Sequence, residues 1–146
     1  MVKKLSSKSY TQERLEELEA LLENLMTLNI SVPVVVEGRK DELALRALGL
    51  EGEIIKIAPL PLPTFCERIA QQCSEVLILT DWDRKGGILC RQLKNFLEVN
   101  GVKYNDKIRE KLVKYVRKEI KDVEGLVAFL NNIRSRVSKA QTKKPS

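Results

Sequence analysis

VPVVVEGRKDE, residues 32–42, is the stretch on which the reading of this chain turns. A run of β-branched apolar residues suits a buried strand. It ends on Glu37, with Gly38 directly behind and a cluster of charge after that. A carboxylate at the end of a buried strand is costly, so its position asks for a purpose. EVLILTDWDRKGG, residues 75–87, repeats the arrangement: an apolar strand ends on Asp81 and Asp83, followed by Gly86-Gly87.

Outward from these stretches, apolar spacing divides the rest. Leu15, Leu18, Leu22 and Leu25 repeat at helical intervals, which predicts a helix over 11–28. Its leucine face either packs on its own domain or pairs with another chain, as a protein partner or a homodimer. Strands are expected at Val32–Val36, Glu53–Ile57, Val76–Thr80 and, shorter, Val102–Tyr104. Helices are expected at Asp41–Leu48, stopped by Gly49, and at Phe65–Gln72, opened by the capping pair Thr64 and Glu67. Further helices fit Gly86–Val99, Asp106–Ile120 and Val123–Val137. The prolines of APLPLP, residues 58–63, make a stiff connector.

The predicted organisation is a flexible basic N-terminus (1–10), an N-terminal helix (11–30), an α/β core (31–104), helices packed on it (105–137) and an unstructured basic tail (138–146). Apolar strands separated by helices imply a compact, Rossmann-like sheet of about four mainly parallel strands covered on both faces. Right-handed crossovers put the strand C-termini on one edge, where the site of such folds sits.

Composition narrows the chemistry. The 146 residues suit one domain. There is no histidine, which removes Ser–His and Cys–His nucleophiles and His-ligated zinc. Cys66, Cys73 and Cys90 form no CxxC pair and read as small buried hydrophobes. No apolar run reaches the ~18 residues of a membrane span. The start has no apolar signal region, so the expectation is a soluble, cytoplasmic protein with no membrane partner. Charge is uneven: residues 11–83 carry 6 basic and 14 acidic residues, and residues 84–146 carry 17 basic and 6 acidic. An acidic half joined to a basic half suggests a polyanionic partner.

If the strands at 32–36 and 76–80 are neighbours, Glu37, Asp81 and Asp83 converge on one crevice. Clustered carboxylates call for a cation, and oxygen ligands suit Mg²⁺ or Mn²⁺. Arg39, Lys40, Arg84 and Lys85 flank the acids and suit a phosphate, as does the helix start at Gly86. The competing reading of Asp-x-Asp is turn and helix-cap chemistry.

The two stretches together resemble the Toprim domain, shared by topoisomerases, bacterial-type primases, OLD-type nucleases, RecR-type recombination proteins and a bacterial ribosomal-RNA maturase. That signature is a strand ending in Glu-Gly, then a strand ending in Asp-x-Asp followed by Gly. Glu37-Gly38 with Asp41, and Asp81-Trp82-Asp83 with Gly86, match it over about residues 32–104. The whole chain looks like the small stand-alone Toprim proteins of archaea. The resemblance implies Mg²⁺ on Asp81 and Asp83, with Glu37 as general acid/base or a further ligand. The chain departs from many members at Trp82, where they place Pro, and at Gly87, where they place Glu. The missing Glu weakens a topoisomerase-like second metal site.

Finally, Lys107, Lys111, Lys114, Lys118 and Lys121 recur along the predicted helix 106–120 as a stripe. It either follows a nucleic-acid backbone or is a solvated face. Two functions follow. One is a Mg²⁺-dependent enzyme acting on RNA or DNA, a nuclease that hydrolyses a phosphodiester. The other is a metal- and nucleic-acid-binding module without turnover, within a larger complex.

Overall fold

The computed structural model describes residues 9–116 and 118–142. The elements run α1 (Tyr10–Asn29), β1 (Val34–Val36), α2 (Arg39–Leu48), β2 (Ile54–Lys56), α3 (Leu62–Gln72), β3 (Glu75–Ile78), α4 (Arg84–Val99), β4 (Lys103–Asn105), α5 (Lys107–Val116) and α6 (Gly125–Thr142). The four strands form one parallel sheet in the order β2-β1-β3-β4. The expected α/β class, strand number and helix order are all present.

Strand periodicity assigns the two faces. Val34, Val36, Leu77 and Leu79 point into a core shared with α1, α2, α5 and α6. Val35, Val76 and Ile78 point the other way, into a core shared with α3 and α4. The central strands β1 and β3 are therefore apolar on both faces because each face carries a helical layer.

Local chemistry sets the helix ends. Ser9 caps α1, its hydroxyl accepting from the Gln12 N–H at 3.1 Å. Gly49 closes α2 at φ 111°, a left-handed position that favours glycine. α3 begins at Leu62, earlier than the Thr64–Glu67 pair suggested, because Pro61 and Pro63 are compatible with a helix's first turn.

Of the two readings of the leucine stripe of α1, packing on its own domain is the one the fold shows: Leu15, Leu18, Leu22 and Leu25 are buried in the core with α5 and α6. Two expectations need correction. α5 ends at Val116, so Lys107, Lys111 and Lys114 lie on it, while Lys118 stands in a turn and Lys121 in a loop. The five lysines do not form one helical stripe. The tail predicted from residue 138 is helical as far as Thr142; residues 143–146 lie outside the described residues, as do residues 1–8 of the predicted flexible N-terminus.

Candidate metal and phosphate site at the switch point

The chain leaves β1 toward β2 on one side and returns past β1 to β3 on the other. The crevice between the C-terminal ends of β1 and β3 is thus the topological switch point. Glu37 and Asp81 meet there. A Glu37 carboxylate oxygen accepts the Asp81 backbone N–H at 3.0 Å. This contact joins residues 44 apart in sequence and ties the two stretches directly together.

Both carboxyls are perturbed in the same direction. Burial raises the Glu37 pKa, and the charges of Asp41 and Asp83 add to the shift, against the Asp81 N–H and Lys85. Burial pushes Asp81 up to about 7, with repulsion from Asp41, Glu37 and Asp122 against its hydrogen bond to Val123. Asp41 is raised too, first by burial and then by Asp122 and Glu124. Its carboxylate also accepts the Gly38 N–H at 3.1 Å, holding the entry to α2. Several acids pressed together and desolvated make this crevice the functional-site candidate.

Asp83 does a different job. Its Oδ1 accepts the Gly86 N–H at 2.7 Å and caps α4. Gly86 is correspondingly structural. A Cβ there would stand 2.0 Å from the Asp81 carbonyl oxygen. With its N–H given to Asp83, Gly86 does not offer the free donor expected of it. Arg39, Lys40, Arg84 and Lys85 are exposed around the crevice. A Cβ at Gly38 or Gly87 would meet nothing within 4 Å, so the chain leaves both approaches open.

Donor chemistry fits a hard divalent cation. Glu37 and Asp81 each use one carboxylate oxygen on a backbone N–H, as does Asp83. The second oxygen of each has no hydrogen bond among the described residues. In the arrangement described, no three acidic side chains surround one ion-sized position, so filling such a site needs side-chain rotation.

The part of the site invisible in the sequence comes from the α5–α6 connection. Trp82 donates its backbone N–H to Lys121 O at 2.9 Å and its indole N–H to Ile120 O at 2.8 Å. Asp81 Oδ1 accepts the Val123 N–H at 2.9 Å. Arg109, from α5, donates to the Thr80 and Asp81 carbonyls at 2.8 and 2.6 Å. These bonds clamp residues 120–123 against the Asp-Trp-Asp turn and bring Asp122 and Glu124 into the acidic group. Trp82, bonded through both its backbone and its indole N–H, is the hinge-pin of this clamp. A tryptophan between two aspartates was the only sequence signal for it.

Burial pushes the Cys66 thiol up to about 11, and all three cysteines are free, so Cys66 serves as packing. Among the described residues, no helix is long and apolar enough to cross a membrane.

The fold and site define a parallel α/β domain with a carboxylate centre at its switch point. A solved structure of a protein from Aquifex aeolicus shares that fold, with a TM-score of 0.65 at 20% identity over 73% of this chain and 95% of the other. At the sequence level the chain belongs to the UPF0292 family. UPF0292 proteins of Methanosarcina barkeri and Pyrococcus horikoshii are each 40% identical, over 84% and 80% of this chain and 87% and 86% of their own. That of Methanocaldococcus jannaschii is 36% identical over 80% of this chain and 94% of its own. No protein-family model matches the chain.

Proposed function

We propose that this protein is a Toprim-type, Mg²⁺- or Mn²⁺-dependent protein acting on RNA or DNA by phosphodiester hydrolysis. The observation that carries the reading is the contact of Glu37 with Asp81 across the switch point, in a group of acids whose pKa values are raised by burial and mutual repulsion. Asp81 and Asp83 would hold the cation, with Glu37 as acid/base or additional ligand. A divalent cation, when bound, supplies charge neutralisation at the phosphate.

The protein's own groups account for the rest. Glu37 is partly desolvated and hydrogen-bonded at one oxygen, which leaves the other to accept or return a proton. Burial raises its pKa above the ordinary carboxylate value, the direction that makes it a better proton acceptor. Arg39, Lys40, Arg84 and Lys85 can orient the phosphate before reaction.

A metal- and nucleic-acid-binding module is the second reading. The engagement of Asp83 as the α4 cap favours it, since that carboxylate already has a structural use. The decisive experiment incubates wild type and Glu37→Gln with single-stranded, duplex and structured RNA and DNA, with Mg²⁺ or Mn²⁺. Cleavage by wild type and its loss in Glu37→Gln support the enzyme. Metal-dependent binding with no cleavage by wild type supports the module. Equal slow cleavage by both proteins identifies a contaminant.

A further inference from the structure

Beside the carboxylate centre, a groove of about 430 Å³ is lined by Arg84, Lys85, Ile88, Leu89 and Gln92. Positions 84, 85, 88, 89 and 92 share one face of α4, and the eight residue steps from first to last rise about 12 Å.

Its chemistry is graded along the helix. Two cations stand at the end nearest the acids, and Lys85 is close enough to act on the charge of Glu37. Two apolar side chains follow. Leu89 packs partly against the core behind α4, whereas Ile88 belongs to neither core and is 38% exposed. The Gln92 amide closes the far end and is exposed. Cations alone would suit a duplex backbone. An uncovered isoleucine directly behind them does not, because a duplex keeps its base faces stacked inside and offers only phosphate and sugar here. An unpaired base has a free apolar face.

We infer that this groove takes one unstacked nucleotide next to the phosphate held at the Glu37–Asp81 centre. Arg84 and Lys85 hold its phosphate, Ile88 and Leu89 carry the face of its base, and the Gln92 amide meets the base edge. The inference rests on the proposed function and narrows its substrate to nucleic acid that is single-stranded at that nucleotide. Gln92 has both donors and an acceptor, so the groove accepts a base without choosing one strictly.

The test measures binding of an oligothymidylate strand and of a blunt duplex by fluorescence anisotropy. Salt is matched, Mg²⁺ is present, and phosphorothioate linkages block turnover. Ile88→Ser, at an exposed position outside both cores, is expected to raise the Kd for the strand about tenfold and leave the duplex unchanged. Ile88→Phe, which adds a ring, is expected to tighten the strand about three- to tenfold. Arg84→Ala is expected to weaken both. Equal effects of Ile88→Ser on strand and duplex, or none on either, overturn the groove. If wild-type cleavage persists in that case, the Glu37 chemistry survives. Absence of wild-type binding to either probe overturns the groove, and the cleavage assay on RNA and DNA then decides the Glu37 chemistry separately.

Discussion

At the N-terminal edge of the sheet, Asn29 is 1% exposed and every polar group of its amide is matched. Its nitrogen donates to Val32 O at 3.1 Å and Glu53 O at 2.9 Å, and its oxygen accepts the Gly52 N–H at 2.8 Å. Gly52 fits only without a side chain, since a Cβ there would stand 1.8 Å from the Asn29 carbonyl oxygen. At the C-terminal edge, β1 and β3 lead into Glu37 and Asp81, which hydrogen-bond yet remain crowded by Asp41, Asp83 and Asp122. One edge is a neutral knot with its polar groups satisfied. The other holds like charges that a metal-free fold would be more stable without. Polar residues at the first edge serve stability, and those at the second carry a cost that the proposed cation would offset.

The sharpest way to break this contrast is Glu37→Gln. The substitution keeps size and removes the base, so Mg²⁺-dependent cleavage should fall by about 10²–10⁴-fold while nucleic-acid binding stays nearly intact. If Glu37 is only a ligand, metal affinity falls first and excess Mn²⁺ restores much of the rate. Asn29→Ala tests the opposite edge. It strips partners from a buried N–H and two carbonyls, and should cost about 2–4 kcal/mol in denaturant unfolding without altering cleavage at a temperature where the protein stays folded. A loss of activity in the folded Asn29 variant would undo the division between the edges.

A third prediction concerns pH. With Asp81 raised to about 7 from an ordinary 3.8, the folded state holds a proton that the unfolded state has released across that window. Stability of the metal-free protein therefore falls as pH rises from about 4 to about 7, and Glu37 and Asp41 act in the same direction. Asp81→Asn keeps an acceptor for Val123 and removes the charge. It should raise Tm at pH 8 in EDTA, flatten the Tm–pH curve and weaken Mg²⁺ or Mn²⁺ binding in a calorimetric titration. A Tm that climbs through the same window in wild type would contradict the acidic crowding.

The smallest expected effect lies on α5. Neutralising Lys111 and Lys114 should flatten the salt dependence of nucleic-acid binding by about one to two units of log–log slope. Lys118 and Lys121, off the helix, should change it less. Equal slopes for wild type and the Lys111/Lys114 pair would make this a solvated helix face.

Much of this fold was legible in residue order. The apolar runs at 34–36 and 76–79, flanked by helical spacings, are enough to call for a parallel sheet covered on both faces, because backbone pairing and two-sided burial leave few alternatives. The acids at the two strand ends were legible for the same reason: a carboxylate closing an apolar run stands out against its surroundings. What the sequence could not supply was contact between distant segments. Strand order, with β1 beside β3, is decided by how the crossovers pack, and only that adjacency brings Glu37 to Asp81. The break after Val116 carries no proline or glycine; it coincides with bonds from Trp82 to Ile120 and Lys121, which local helical periodicity cannot register. Nothing in the local sequence of Asp122 and Glu124 points to Asp41; their charges act on it only in the folded chain. The sequence by itself thus determined which segments are strands, which are helices and where their charged ends lie, since these follow from local periodicity. The tertiary structure alone decided which ends meet, because hydrogen bonds and burial across the switch point join residues that no short window contains.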